Sequence, residues 1–398
     1  MCVYASPAPR RRLAKLEATT LSGCPTCWMI LTQCAVCATE LGLSLGKKCG
    51  RCSTRYCGPE CQVQHWKEGG HDKLCKPIKK AGGAEQYNAN KKYAEAVVVA
   101  AEACAEDTQG QTCYICTQAL HWKTKEGLVR GCSCRGTAGF AHVSCLAEQA
   151  KILVAEALEN NLGLKVRNER WLRWSDCSLC EQTYHGVVKC ALGWACWKTY
   201  VGRPEKDMPR CMAMTQLGNG LSDACHDEDA LSVQEAELST LQRLGAPEGN
   251  ILAVKGNLAG TYQELGRHEL ALSMRREIYS ECLRLYGEES IDTLREADNY
   301  AMNLIEARRF KEAKRILRKR IPVARRVLGP EHDLTMSMRE DLCRATLDGD
   351  SAANEKREAL RTLQDTVGLM RRVLGAQHPE TQRAQKTLEF YREKFPTA

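Results

Sequence analysis

The chain has 398 residues, 43% of them hydrophobic and 27% charged, with a formal net charge of +8, which leaves room for two to four domains. It contains no run of about 18 apolar residues, so a membrane-spanning helix is not expected. Nor does it carry a nucleotide loop, a serine triad or a hydride-transfer fingerprint.

Residues 1–33 read as a flexible N-terminus. Arg10, Arg11 and Arg12 precede Leu13 to Leu21, but Lys15 and Glu17 interrupt that stretch, so no apolar signal core follows. A cytoplasmic or nuclear location is expected, where Cys-x-x-Cys pairs read as metal sites rather than disulfides. Cys24 and Cys27 form such a pair with nothing nearby to complete a tetrahedron, so free thiols are expected. A register swap in which they displace Cys34 and Cys37 would need a longer loop. The N-terminal half is cysteine-rich and poor in phenylalanine, and small segments of that kind depend on metal or disulfides.

Residues 34–75 hold Cys34, Cys37, Cys49, Cys52, Cys57, Cys61, His71 and Cys75. Zinc takes four soft or borderline ligands in a tetrahedron, and a Cys-x-x-Cys turn delivers two thiolates to one ion. The stretch from Tyr56-Cys57 to Cys61-Gln62, with Trp66 and His71 beyond it, resembles a MYND zinc finger. The resemblance implies interleaved sites, with Cys34, Cys37, Cys57 and Cys61 on one zinc and Cys49, Cys52, His71 and Cys75 on the other. His65 competes with His71. The family's histidine stands four before the last cysteine, which favours His71 and leaves His65 as an exposed helical residue. MYND fingers are protein-interaction modules that often take proline-containing peptides. Some occur within lysine methyltransferases, but the Asn-His motif of those enzymes is absent here.

Residues 76–108 are rich in lysine and alanine and read as a helical linker, with a helix over about Ala89–Ala105. Residues 109–182 hold a second set of eight: Cys113, Cys116, Cys132, Cys134, His142, Cys145, Cys177 and Cys180. Sixteen ligands in sets of four imply four Zn2+ ions, two per finger. Two families share the second ligand order. PHD fingers leave four or five residues before the histidine and place a tryptophan two before the seventh ligand. Here seven residues intervene and Trp174 lies three before Cys177. The run Cys132-Ser-Cys134-Arg-Gly-Thr with His142-Val-Ser-Cys145-Leu146 resembles a RING-CH finger instead. That resemblance implies a cross-brace, with Cys113, Cys116, His142 and Cys145 on one zinc and Cys132, Cys134, Cys177 and Cys180 on the other. It also implies a ubiquitin-conjugating enzyme as partner. RING-type ligases form no covalent intermediate and act by positioning the conjugating enzyme's thioester. Ile115 matches their apolar contact, or else it packs under the zinc knuckle. The family's tryptophan after the sixth ligand is missing. Trp171 or Trp174 could fill its groove from the long insert, whose segment Ala147–Leu162 has helical spacing; otherwise the groove is lost.

Residues 183–398 read as an all-α repeat domain. Gly245, Gly287 and Gly329 are spaced by 42 residues, as are Asn257 and Asn299, with Asp341 at the next step. Thr293 and Thr335 share the spacing, and the following repeat is shifted by four, to Gly375 and Thr381. The pattern, with Arg-Arg-Val-Leu-Gly at 325–329 and 371–375, resembles tetratricopeptide repeats of the kinesin-light-chain type. A degenerate first unit begins near Met208, with its second helix over about 227–244. Stacked helix pairs form a solenoid whose concave face suits an extended peptide. Asn257, Asn299 and Asn303 are poor helix formers, which suits either groove-facing amides or hydrogen bonds between repeats.

Fourteen zinc-bound thiolates and four Zn2+ ions would bring the formal charge from +8 to about +2, so nucleic acid is not an expected partner. The basic runs at Arg10–Arg12 and Arg308–Arg326 read as solvated faces. The expected architecture is two small zinc-stabilised domains followed by a TPR-like solenoid. The expected function is a ubiquitin ligase or ligase adaptor, in which the second finger engages the conjugating enzyme and the repeats and first finger recruit protein. The alternatives are a non-enzymatic interaction scaffold and, through a PHD-like block, histone-tail recognition by Trp174.

Overall fold

The computed structural model describes residues 34–37, 39, 41, 45–376 and 378–395. The stretch 1–33, with Arg10–Arg12, Cys24 and Cys27, lies outside them. The described residues form two compact units that divide between Val254 and Lys255.

The first unit opens with a two-stranded antiparallel hairpin, β1 (Lys47–Lys48) and β2 (Arg55–Tyr56), and two short helices, α1 (Pro59–Lys67) and α2 (His71–Ala81). Helix α3 (Ala84–Ala103) leads into a loop-rich segment in which Val129 bridges Ala141. Then follow α4 (Val143–Glu159), α5 (Leu164–Trp171), a 3-10 turn (Leu172–Trp174), α6 (Gly186–Tyr200), α7 (Met208–Asp223) and α8 (Asp227–Arg243). Helix α9 (Glu248–Glu264) crosses the division.

Helix α6 organises this unit. Its sequence is apolar on every side, and residues Val188 to Trp197 are buried without a break; a helix of that composition belongs inside a core. It packs against α3, α4 and α7. Trp171 and Trp174 join Trp194, Trp197 and Tyr200 in one cluster with Leu217 and Leu221. At the crossing with α7, glycines bring the backbones together. A Cβ on Gly193 would stand 2.8 Å from the Gln216 carbonyl oxygen, and one on Gly220 would stand 2.8 Å from that of Lys189. Buried Lys189 pairs with Asp223 at 3.5 Å, and Asp223 also accepts from the Gly186 amide, satisfying one orphan donor at the start of α6.

Helix α3 is longer than the expected spacer helix and is no free tether. Gln86 Nε2 donates to the Lys198 carbonyl at 2.9 Å. Tyr93 is hydrogen-bonded to Ser144 at 2.9 Å, and the Lys198 ammonium lies 4.1 Å from its ring centroid. Arg210 on α7 reaches Glu85 at 3.2 Å.

The second unit contains α10 (His268–Tyr286), α11 (Ile291–Glu306), α12 (Phe310–Val327), α13 (Asp333–Leu347), α14 (Ala353–Val373) and α15 (Pro379–Lys394). Successive helices pack on each other, and α11 also meets α13. The glycine period has a backbone cause. Gly245, Gly287, Gly329 and Gly375 each follow a second helix with φ of 62°, 78°, 93° and 92°, a region where a side chain is strained. Two of the recurring threonines cap the previous helix: Thr293 Oγ1 donates to the Cys282 carbonyl at 3.0 Å and Thr381 Oγ1 to Met370 at 3.4 Å; Thr335 Oγ1 makes no such bond. The solenoid interior is partly ionic, with Arg275–Glu296 and Arg383–Glu340 each at 3.0 Å.

Two stability predictions follow from the packing. Gly193→Ala gains about 1 kcal/mol in helix propensity but forces a backbone clash that costs about 1–3 kcal/mol or more. It should lower the melting temperature in calorimetry, whereas Gly260→Ala, whose Cβ would meet only Arg275 Nη2 at 3.6 Å, should not. Burial pushes the Glu237 carboxyl up to about 8, while unfolded glutamate titrates at about 4.3. The folded state therefore holds the extra proton, and its stability falls as pH rises through that window. Denaturant melts of Glu237→Gln should show a weaker loss between those limits than the parent chain.

Candidate metal centres

The sixteen cysteine and histidine residues come together in four groups, each with its ligand atoms within 4.8 Å of one another. The groups are Cys34, Cys37, Cys57 and Cys61; Cys49, Cys52, His71 and Cys75; Cys113, Cys116, His142 and Cys145; and Cys132, Cys134, Cys177 and Cys180. The grouping is the interleaved one that the two resemblances imply.

Local turns build the clusters. In the pair at Cys49, the Cys49 amide donates to the Thr54 carbonyl at 2.8 Å and the Ser53 amide returns to Cys49 at 2.9 Å. Cys113 repeats this with Gln118 and Thr117, and Cys177 with Gln182 and Glu181. The residue four after the first cysteine, namely Ser53, Thr117 or Glu181, takes a φ of 61°, 60° or 56°. That left-handed corner turns both sulfurs to one side. Amides then point at the sulfur: Ile115 N lies 3.4 Å from Cys113 Sγ and Leu179 N 3.4 Å from Cys177 Sγ. The histidines come from helix starts, His71 opening α2 and His142 preceding α4.

The spacing fits zinc and not disulfides. Sulfurs at about 2.3 Å and nitrogen at about 2.0 Å from one ion give tetrahedral edges of about 3.8 Å between sulfurs and about 3.5 Å from sulfur to nitrogen. The Sγ pairs Cys37–Cys57, Cys57–Cys61, Cys134–Cys177 and Cys49–Cys75 lie at 3.4, 3.5, 3.7 and 3.9 Å. Cys52 Sγ is 3.3 Å from His71 Nε2, and Cys116 and Cys145 Sγ are 3.4 and 3.6 Å from His142 Nδ1. A disulfide would need about 2.05 Å. The other ring nitrogen of His142 donates to the Ala119 carbonyl at 3.4 Å, the outer bond that fixes a ligand's tautomer.

Electrostatics ask for a cation. The Thr39 hydroxyl and amide hold the Cys37 thiol down to about 6. Within the other clusters the thiols cannot all ionise. Burial, then Cys52 and Cys49, push Cys75 up to about 11, and burial and Cys113 raise Cys145. Crowded thiols of this kind become thiolates together only when a metal neutralises them.

Three expectations need correction. His65 is not exposed: 6% of it is accessible, and it is hydrogen-bonded to the Tyr56 hydroxyl at 2.9 Å. It lies outside the metal cluster, packing at 4.9 Å against the His71 ring. Trp171 and Trp174 fill no surface groove; both are core residues of the α6 cluster. With Trp174 only 1% exposed, histone-tail reading through it is ruled out. Asn299 and Asn303 are also buried, and Asn299 Nδ2 donates to Glu296 within its own helix at 3.1 Å. Asn257 is partly exposed.

Two features escaped sequence reasoning. The turn at His121 repeats the knuckle bonds, with the His121 amide on Glu126 at 3.0 Å and the Lys125 amide on His121 at 2.9 Å. There Thr124 stands where a second cysteine would, and the turn leaves Trp122 67% exposed. Tyr114 is hydrogen-bonded to Ser178 at 3.0 Å. This ties the first and last knuckles of the second module side by side, with Ile115 and Leu179 next in sequence; they are 36% and 50% exposed. The matching Cys-x-x-Cys pairs at Cys113 and Cys177 were visible in the sequence, but not which tips share a face.

Comparison with known proteins agrees with this geometry. The MYND finger family model matches residues 34–75, the RING-variant domain model residues 113–157, and a tetratricopeptide repeat model residues 250–326. The RING-variant match stops before Cys177 and Cys180, which the chain brings back after α4 and α5. A Podosopora anserina kinesin light chain with nearly identical TPR-like repeats is similar at 15% identity and a TM-score of 0.37, covering 58% of this chain and 97% of that one. BtubC (BKLC) from P. vanneervenii is similar at 14% identity and a TM-score of 0.33, covering 64% and 93%. No curated protein matches the chain. No helix among the described residues is long and apolar enough to cross a membrane. The chain thus carries MYND-type and RING-variant zinc-binding regions followed by TPR-like repeats.

Metal removal should separate the two units. A strong chelator should make the fourteen cluster thiols reactive and abolish the near-ultraviolet tryptophan signal, because metal binding is folding energy in such modules. About half of the far-ultraviolet helicity, the share carried by the second unit, should remain. His71→Ala should lower bound zinc by about one ion of four, read by elemental analysis.

Proposed function

We propose that the chain is a ubiquitin ligase or ligase adaptor that works by positioning. The RING-variant module would bind a charged ubiquitin-conjugating enzyme, and the repeats and MYND finger would recruit the protein to be modified. The observation that carries this reading is the pair of exposed apolar tips, Ile115 and Leu179, on knuckles joined by the Tyr114–Ser178 bond. Two rigid apolar side chains held by metal-stapled turns form a small anchor for a partner at little entropic cost. Ile115 does not pack under its own knuckle, since more than a third of it is accessible. The module supplies no acid, base or nucleophile; its contribution would be orientation. Asn257 on α9, partly exposed, would offer its amide to a peptide in the repeats.

The scaffold alternative rests on a specific observation. The position after the sixth ligand is Leu146, itself 3% exposed, and no tryptophan replaces the missing one. The two readings separate in a reconstituted ubiquitination assay with a panel of conjugating enzymes. The ligase reading expects ubiquitin chains whose yield drops about tenfold or more in Ile115→Ala and Leu179→Ala, with zinc content unchanged. Failure to form chains with any conjugating enzyme would leave the scaffold.

A further inference from the structure

We propose that the outer face of α12 docks an acidic polypeptide segment. The stretch Arg308–Arg326 carries ten Lys or Arg residues and a single acid, Glu312. Lys311, Arg315, Arg318 and Arg325 fall at helical spacing on one exposed stripe. None of the four makes an ion pair or hydrogen bond among the described residues. Several other helices pair surface charges internally: Lys91 and Lys92 with Glu95 on α3, Glu148 with Lys151 on α4, Glu281 with Arg284 on α10, Asp292 with Arg295 on α11.

Helix α12 gains little locally from most of this stripe, although Arg325 in the last turn suits the dipole and Arg315 lies near Glu312. Like charges three and four residues apart repel, and Lys311 sits in the first turn, the wrong end of the helix dipole for a cation. A stripe that the fold leaves largely unpaired is open to a partner outside the helix. The chain itself displays the matching chemistry. The loop between α10 and α11 lays Glu288 and Glu289 against one edge of α12. Glu288 meets Lys319 and Arg320 at 3.1 Å each, and Glu289 meets Arg326 at 2.6 Å. Carboxylates carried on backbone thus already pair with the flank of the stripe, and the central four cations await the same partner.

The stripe favours carboxylates of a protein over other polyanions. Three of its four cations are arginines, whose planar forks pair carboxylates in a bidentate way. It exposes no aromatic ring on which bases could stack; Phe310, the nearest, is packed into the core. From Lys311 to Arg325 it spans about 21 Å, the length of an acidic helix of four turns or about six extended residues.

The test is fluorescence anisotropy of a labelled glutamate-rich peptide of about 12 residues titrated with the full zinc-loaded chain at low salt. Wild type should bind, and Arg315→Glu with Arg318→Glu should weaken binding about tenfold or more. The Arg315→Lys with Arg318→Lys pair should keep most of it, and Lys73→Glu with Lys76→Glu on α2 should change little. Circular dichroism must show the variants equally helical. No binding by wild type would overturn the proposal. So would equal loss in the α2 variant, or tighter binding to single-stranded DNA or phosphatidylserine vesicles than to the peptide. None of these outcomes bears on ubiquitin transfer, which is read separately.

Discussion

The constraint on which the first unit depends is the gathering of mutually repelling thiols. Fourteen sulfurs and two imidazoles converge in four clusters. Each cluster joins segments distant in sequence, such as Cys34 with Cys61 and Cys132 with Cys180. Without a cation the cost of ionising four neighbours would push them apart. With one, the same cluster becomes a covalent-strength crosslink in a region that has little apolar surface to bury. The left-handed corners at Ser53, Thr117 and Glu181 belong to the turn itself, since Lys125 takes the same φ of 60° in the turn at His121, which has no cysteine pair.

The second module is more than a zinc knot. Its clusters rest on a core that includes Val97 and Ala100 of α3 and Val188, Ala191 and Leu192 of α6. The opposite side of α6 packs into the tryptophan cluster with α7 and α8. One apolar helix therefore links the metal-stapled turns to the helical hairpin beyond them. The glycines that let α6 and α7 approach make that link rigid, because their contacts are with backbone atoms that cannot move aside. Rigidity suits a positioning role. Knuckle tips that present Ile115 and Leu179 at fixed spacing can orient a partner only if the turns beneath them do not flex.

Much of this was legible in the sequence, for physical reasons. Zinc ligation is written in residue identity and short spacing, so all sixteen ligand positions could be read locally. The helix pairs after Met208 were legible through Gly287, Gly329 and Gly375, because only glycine takes the corner at those helix ends without strain. What failed to show is what depends on three-dimensional neighbours. His65 looked like a surface helix residue, but Tyr56 and His71 enclose it. Trp171 and Trp174 looked like candidates for a binding groove, but α6 draws them inside. Segment 183–200 read as the start of the repeats, yet its all-round apolar surface packs with α3 and the second zinc module. Asn299 and Asn303 carried the right repeat position but not the exposure.

The central claim is that the four clusters hold zinc in the pairing seen here, with both histidines ligating. X-ray absorption at the zinc edge of the purified chain tests it most directly. The account predicts a mean first shell of about 3.5 sulfurs at about 2.3 Å and about 0.5 imidazole nitrogen at about 2.0 Å per zinc. A shell dominated by oxygen and nitrogen, or sulfur absorption showing oxidised pairs in place of thiolates, would contradict it.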